Sequence, residues 1–134
     1  MKKIIITIVL TFIVSIIAGA ISSILFYAPA QLEMNNLFPE AVPAIPNMEF
    51  MVSGGLALVI FWVICFDKMG INKIKSGAIT GLWFAVLIFA FFDFTLLGIS
   101  NLFSLKFALI DIGLSAIIGC VLGAVIGWSL GRFS

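Results

Sequence analysis

Histidine is missing from this 134-residue chain. With it goes the side chain most often used as metal ligand, proton shuttle and general base near neutral pH. Cysteine is scarce. Cys65 and Cys120 lie far apart, both inside apolar segments, and form no C-x-x-C pair. That spacing supports neither a thiol redox couple nor a zinc site, and each reads as a small buried hydrophobe. Charge is scarce too, at 10% of residues, where soluble domains carry about 25%. The net charge of +1 offers no basic patch for nucleic acid and no acidic tail for a cationic partner. Neither a phosphate-binding loop nor a nucleophile–base pair occurs. The expectation is a protein without cofactor, metal or catalytic residues, and not an enzyme.

What is present is oil. Hydrophobic residues make up 63% of the chain, Phe alone occurs fourteen times, and the mean hydropathy is +1.33. In a bilayer this length allows about four spans of roughly 20 residues with short connections. We expect an all-α polytopic membrane protein, a four-transmembrane-helix bundle forming one membrane domain over residues 1–134. The expected helices cover about 4–28, 50–66, 77–99 and 107–130. The start, Lys2-Lys3 followed by an apolar run and Ala18-Gly19-Ala20, resembles a cleavable signal. The run continues through Ile21, Ile24, Leu25 and Phe26, long enough to span, so it reads as the first membrane helix. Pro29 is expected to end that helix.

Residues 29–49 then hold all four prolines and all three glutamates but no Lys or Arg. This long, greasy loop is expected to lie back over the bundle, with a short interfacial helix near residues 31–38 stopped by Pro39.

Orientation rests on two signals. The positive-inside rule puts Lys2, Lys3, the 68–75 connection and Arg132 in the cytoplasm, and with them both termini; only Lys106 lies opposite. Trp62, Trp83 and Trp128 fall near the helix ends that this topology makes cytoplasmic, where they would act as interface anchors.

Two helices carry rows of small residues at every fourth position, hence on one face. In the last helix the row is Asp111, Ser115, Gly119, Gly123, Gly127 and Gly131, a glycine-zipper pattern. In the first it is Thr7, Thr11, Ser15, Gly19, Ser23 and Tyr27. Small rows let backbones approach closely, which favours helix association in lipid. Laid antiparallel, Thr7 meets Gly131 and the Tyr27 hydroxyl meets the Asp111 carboxylate. The expectation is that the first helix packs on the last; the competing reading has the glycine row meeting another copy of the chain. Gly77 and Gly81 form a smaller pair in the third helix.

Asp93 and Asp111 lie within spans at similar depth, roughly 7–10 Å above the midplane by helix rise. Intramembrane carboxylates mark functional sites or buried pairs, and two neighbours can share one proton. Lys106 sits about a turn away. These residues with Tyr27 make a candidate polar pocket in the outer half of the membrane. The plainer reading is that the acids reach interfacial water or tie helices together.

Phe26-Tyr27-Ala28-Pro29, the stretch Gly77-Ala78-Ile79-Thr80-Gly81-Leu82-Trp83, and Leu105-Lys106-Phe107 with Ile110-Asp111-Ile112-Gly113 and the glycine row together resemble an uncharacterised family of small bacterial four-helix integral membrane proteins, a domain of unknown function. The resemblance implies an architecture, a bacterial inner membrane and attention to Tyr27, Lys106 and Asp111, but no activity. Two functions fit the residues: an accessory, scaffold or binding subunit, or an oligomeric transporter or channel for protons, cations or a small solute using Asp93 and Asp111. Expected partners are membrane lipids and either further copies or a larger membrane complex, not nucleic acid.

Overall fold

The computed structural model describes residues 1–133. Among them are four helices long and apolar enough to cross a membrane: α1 (Lys2–Leu37), α2 (Met48–Lys68), α3 (Ile74–Ile99) and α4 (Leu105–Arg132). They run up and down in sequence. The first residues, the α2–α3 turn and the end of α4 share one end of the bundle, here the termini end; the other two connections form the loop end.

Pro29 does not end α1. The helix runs on through a single π turn, Ser23–Tyr27, into a further α-helical stretch, Ala28–Leu37. A proline inside a helix lacks an N–H and presses on the carbonyl four residues back. The widened turn immediately before Pro29 absorbs both defects, as π turns inserted in α-helices do. The resulting helix has 36 residues, about 54 Å at the usual rise, and so exceeds a bilayer core of about 30 Å. Its extension anchors the following loop: Gln31 Nε2 donates to the Pro43 carbonyl at 2.6 Å and Asn35 Nδ2 to that of Val42 at 2.7 Å, and Val42 is buried.

The remaining ends are capped by side chains or turn chemistry. Asn47 Oδ1 accepts from Glu49 N at 3.1 Å to start α2, and Ser104 Oγ accepts from Phe107 N at 3.2 Å to start α4. Helix α2 stops at Gly70, which adopts φ +74°, a value glycine takes without a Cβ penalty. Ile71 N then donates to Phe66 O and Gly70 N to Asp67 O, the bond pair of a Schellman motif, with Ile71 folded onto Phe66 in the core as that motif favours.

The tightest packing joins α3 to α4. A Cβ placed on Gly81 would lie 2.9 Å from the Gly123 Cα, and one on Gly77 would lie 3.1 Å from the Gly127 Cα. Nothing larger than hydrogen fits between these backbones. The same row continues to the α2–α3 turn, where Gly127 meets Lys73 and Gly131 meets Asn72. The expected partner of the glycine row is therefore corrected: it packs on α3, through Gly77, Gly81 and Ala85, not on α1. Helix α1 also lies antiparallel to α4, but on a neighbouring face, where Thr7 Oγ1 and Ser129 Oγ share a buried hydrogen bond of 2.6 Å. Gly19 meets nothing within 4 Å, and Ser15 donates to Phe12 O of its own helix at 2.7 Å.

The apolar core sits towards the termini end, built from Val59, Trp62, Val63, Phe66, Ala85, Ile126 and Leu130. Lys3 Nζ closes that end on Asp67 at 3.1 Å, a half-exposed pair that adds little to stability. The first half of α2 is different. Phe50 and Met51 are exposed, and Gly54 and Gly55 meet nothing. This half of α2 stands away from α4. The outward faces of all four helices carry large exposed apolar side chains, such as Ile5, Ile17, Leu87 and Ile117, as a surface in contact with lipid would.

Candidate functional site

The wedge left where α2 stands away holds a cavity of about 450 Å³ between α1, α2 and the α3–α4 pair. Its size falls in the range of small-molecule sites, about 300–1,000 Å³. The lining runs along α4 from Phe107 to Ile126, a rise of about 28 Å. It is therefore a long slot. Towards the loop end the walls are Tyr27, Gln31, Met34, Pro46, Phe107 and Asp111; further in come Leu58, Val59, Phe89, Leu122 and Ile126.

The polar groups cluster towards the loop end. Tyr27 closes the π turn of α1, and its hydroxyl donates to the Asp111 carboxylate. Phe26 stacks on Phe107 with ring centroids 5.3 Å apart and meets the Tyr27 ring edge-on at 5.0 Å, which fixes Tyr27 from the side. Ser115, one turn below Asp111, lies beside the phenol. The Asp93 carboxyl faces that of Asp111 from α3. Both acids are buried, and Asp93 Oδ2 has no hydrogen-bond partner. Asp111 belongs to the cavity wall; Asp93 stands behind it and does not line the cavity.

Two expectations are corrected here. Lys106 does not join the cluster: it is exposed, lines no cavity and makes no salt bridge among the described residues. Five residues before Asp111, it sits about 140° around α4 from that residue. Trp62 is not an interface anchor. It is 3% exposed, stacks with Phe66 and meets Phe84 edge-on, so its ring belongs to the core and to the cavity wall. Trp83 and Trp128 are exposed on the outward faces.

Of the residues singled out for helix packing, Ser115, Gly119, Gly123 and Gly127 are buried on α4 and Gly131 is half-buried against Asn72. A Cβ added at Gly19 would meet nothing within 4 Å; Gly19 and Ser23 line the cavity, and the Ser15 hydroxyl bonds within its own helix. Sequence reasoning missed Thr11 and Trp62 as cavity residues. It gave the Gly77–Gly81 pair little weight, although Ala85 extends that pair into a third small position at the same spacing. A second, smaller recess of about 310 Å³ lies where the α1 extension meets the α3–α4 connection, lined by Glu33, Met34, Asn101 and Phe107 among others.

No protein-family model, curated protein or solved structure matches the chain.

Proposed function

We propose that this chain is a non-enzymatic membrane protein that holds an amphipathic small molecule, of neutral or cationic head, in the slot between α1, α2 and the α3–α4 pair. The observation that carries the reading is the junction of a long apolar slot with the Tyr27–Asp111 hydrogen bond. Asp111 is the one ionisable acid in the slot's lining, and no Lys or Arg joins it. An anionic headgroup would meet an acid with no compensating cation, which is costly in a low-dielectric site.

In this reading the termini end is cytoplasmic, following Lys2, Lys3, Lys68, Lys73, Lys75 and Arg132. The polar cluster then sits in the outer half of the membrane, under the loop pinned by Gln31 and Asn35. The resemblance to a small uncharacterised bacterial family suits a bacterial inner-membrane setting. Accessory or scaffold roles beside a larger membrane complex follow naturally from a chain so rich in packing residues.

The test is native mass spectrometry of the protein released from mild detergent. Wild type should retain a small-molecule adduct; Asp111→Asn and Tyr27→Phe should fold and lose most of it. A wild-type spectrum with bare protein only, under conditions that preserve other lipid adducts, would contradict the reading.

A second reading is supported by one observation. Tyr27, Asp111 and Asp93 form a contiguous polar chain from α1 through α4 to α3, the kind of arrangement used in proton relays. An oligomer of this chain could then move protons or cations. Asp93→Asn should abolish flux in reconstituted vesicles if so, and should leave ligand retention largely intact if the slot alone is functional.

A further inference from the structure

The second recess, at the loop end, has a chemistry of its own. Phe38, Phe103 and Phe107 line it together with Glu33, Asn101 and Ser104. The Phe103 and Phe107 rings meet at 50° with centroids 5.0 Å apart, and Phe107 in turn stacks on Phe26. The connection that carries Phe103 is pinned on both sides. Leu102 N donates to Ser100 Oγ at 3.1 Å, and Phe107 N donates to Ser104 Oγ at 3.2 Å. This wall is therefore pre-formed. Glu33 is the one charged residue of the lining, and Lys106, two positions past Ser104, does not join it. Glu33 and Asn101 are exposed, and neither side chain makes a hydrogen bond or salt bridge among the described residues.

From this combination we infer that the recess binds an organic ammonium group, with Glu33 as counter-charge and the phenyl rings as its apolar and π contacts. Aromatic faces attract ammonium cations at distances up to about 6 Å, and rings beside an acid suit alkylated ammonium best. An anion would meet Glu33 with no Lys or Arg in the lining to offset it. A bare magnesium or calcium ion asks for about six or more oxygen ligands, and a single carboxylate among phenyl rings does not supply them. The volume of about 310 Å³ lies at the lower end of small-molecule sites, which suits a headgroup-sized ligand. At the ends of α1 and α3, the recess is open to two sources of that chemistry, the ammonium of a lipid headgroup and a free amine in water.

The test uses ¹⁵N-labelled full-length protein in nanodiscs of phosphatidylglycerol, a lipid without ammonium, titrated with choline chloride. The expected result is a saturable shift of the Asn101 side-chain amide and the backbone amides of residues 102–104, which sodium chloride at equal concentration does not reproduce. Glu33→Gln removes the charge, and Phe103→Leu removes the ring while keeping an apolar side chain. Each should weaken choline about three- to fivefold. Glu33 is exposed, so Glu33→Gln decides the matter even where Phe103→Leu fails to fold. Repeating the titration with phosphatidylethanolamine mixed into the nanodisc separates the sources. Choline shifts suppressed by that lipid assign the site to a headgroup; undiminished shifts assign it to a free amine.

The inference stands apart from the slot, because neither Tyr27 nor Asp111 lines the recess. Loss of the ammonium site would leave the Asp111-dependent adduct in place, and loss of the adduct would leave choline binding in place. Shifts that rise linearly without saturating, shifts that sodium reproduces, or a Glu33→Gln protein that binds choline as wild type does would each overturn the inference.

Discussion

Glycine occupies two kinds of position in this chain, and substitution separates them. Gly81 faces the Gly123 backbone, and an added Cβ would come within 2.9 Å of its Cα. Gly81→Ala should therefore force α3 and α4 apart and cost about 1–3 kcal/mol, the usual range for overpacking. Gly98 and Gly113 meet nothing within 4 Å. Gly98→Ala and Gly113→Ala should be neutral or stabilising by up to about 1 kcal/mol, since Ala is the better helix former. Thermal unfolding of the three variants in one detergent measures this; equal behaviour of all three would contradict the packing described. Tyr27→Phe probes a different bond. It keeps the ring against Phe26 and removes the hydroxyl from Asp111. The loss should be about 1–3 kcal/mol, the penalty for a buried acceptor left without its donor, and should be read by the same unfolding measurement.

At the scale of the element, the π turn in α1 depends on Pro29. Pro29→Ala restores an N–H four residues after the Leu25 carbonyl, so residues 23–27 should revert to α-helical geometry. Backbone chemical shifts of these residues, with slow amide exchange at position 29, would report it; an unchanged widened turn would show that Pro29 is not its cause. The elements also show where the sequence was legible. Apolar run length marked four spans, and the i, i+4 rows marked which faces of α1 and α4 were small. The register of those rows also placed Tyr27 opposite Asp111. Which neighbour a row meets was not legible, because periodicity identifies a face and not its partner. Size decided it. The α1 row contains Thr7 and Thr11, whose branched side chains hold backbones apart, whereas Gly77, Gly81 and Ala85 present a flat surface to α4. Trp62 was misplaced for a related reason. Proximity to a helix end suggests an interface, but Phe66 and Phe84 draw the ring inward. The continuation of α1 past Pro29 was hidden because one widened turn removes the obstacle that the ring creates.

For the whole molecule, the bundle is closed at one end and wedged open towards the other. The α3–α4 pair is a rigid wall. Helices α1 and α2 close on it through Trp62, Phe66 and Ile126 near the termini and part from it beyond, which leaves the slot. Its orientation in the membrane is testable with Cys65→Ala/Cys120→Ala protein carrying either Glu40→Cys or Lys75→Cys. Intact cells should label the first with an impermeant maleimide and the second only after permeabilisation; the reverse pattern would invert the topology. The slot itself is tested by filling it. Gly19 is exposed at the cavity's edge, and an added Cβ there would meet nothing within 4 Å, so Gly19→Phe brings a ring to the cavity wall. Native mass spectrometry of this variant beside wild type is the most direct measurement. The expected result is a folded protein of near wild-type unfolding temperature that has lost its small-molecule adduct; an adduct retained at wild-type occupancy would rule out the slot as the binding site.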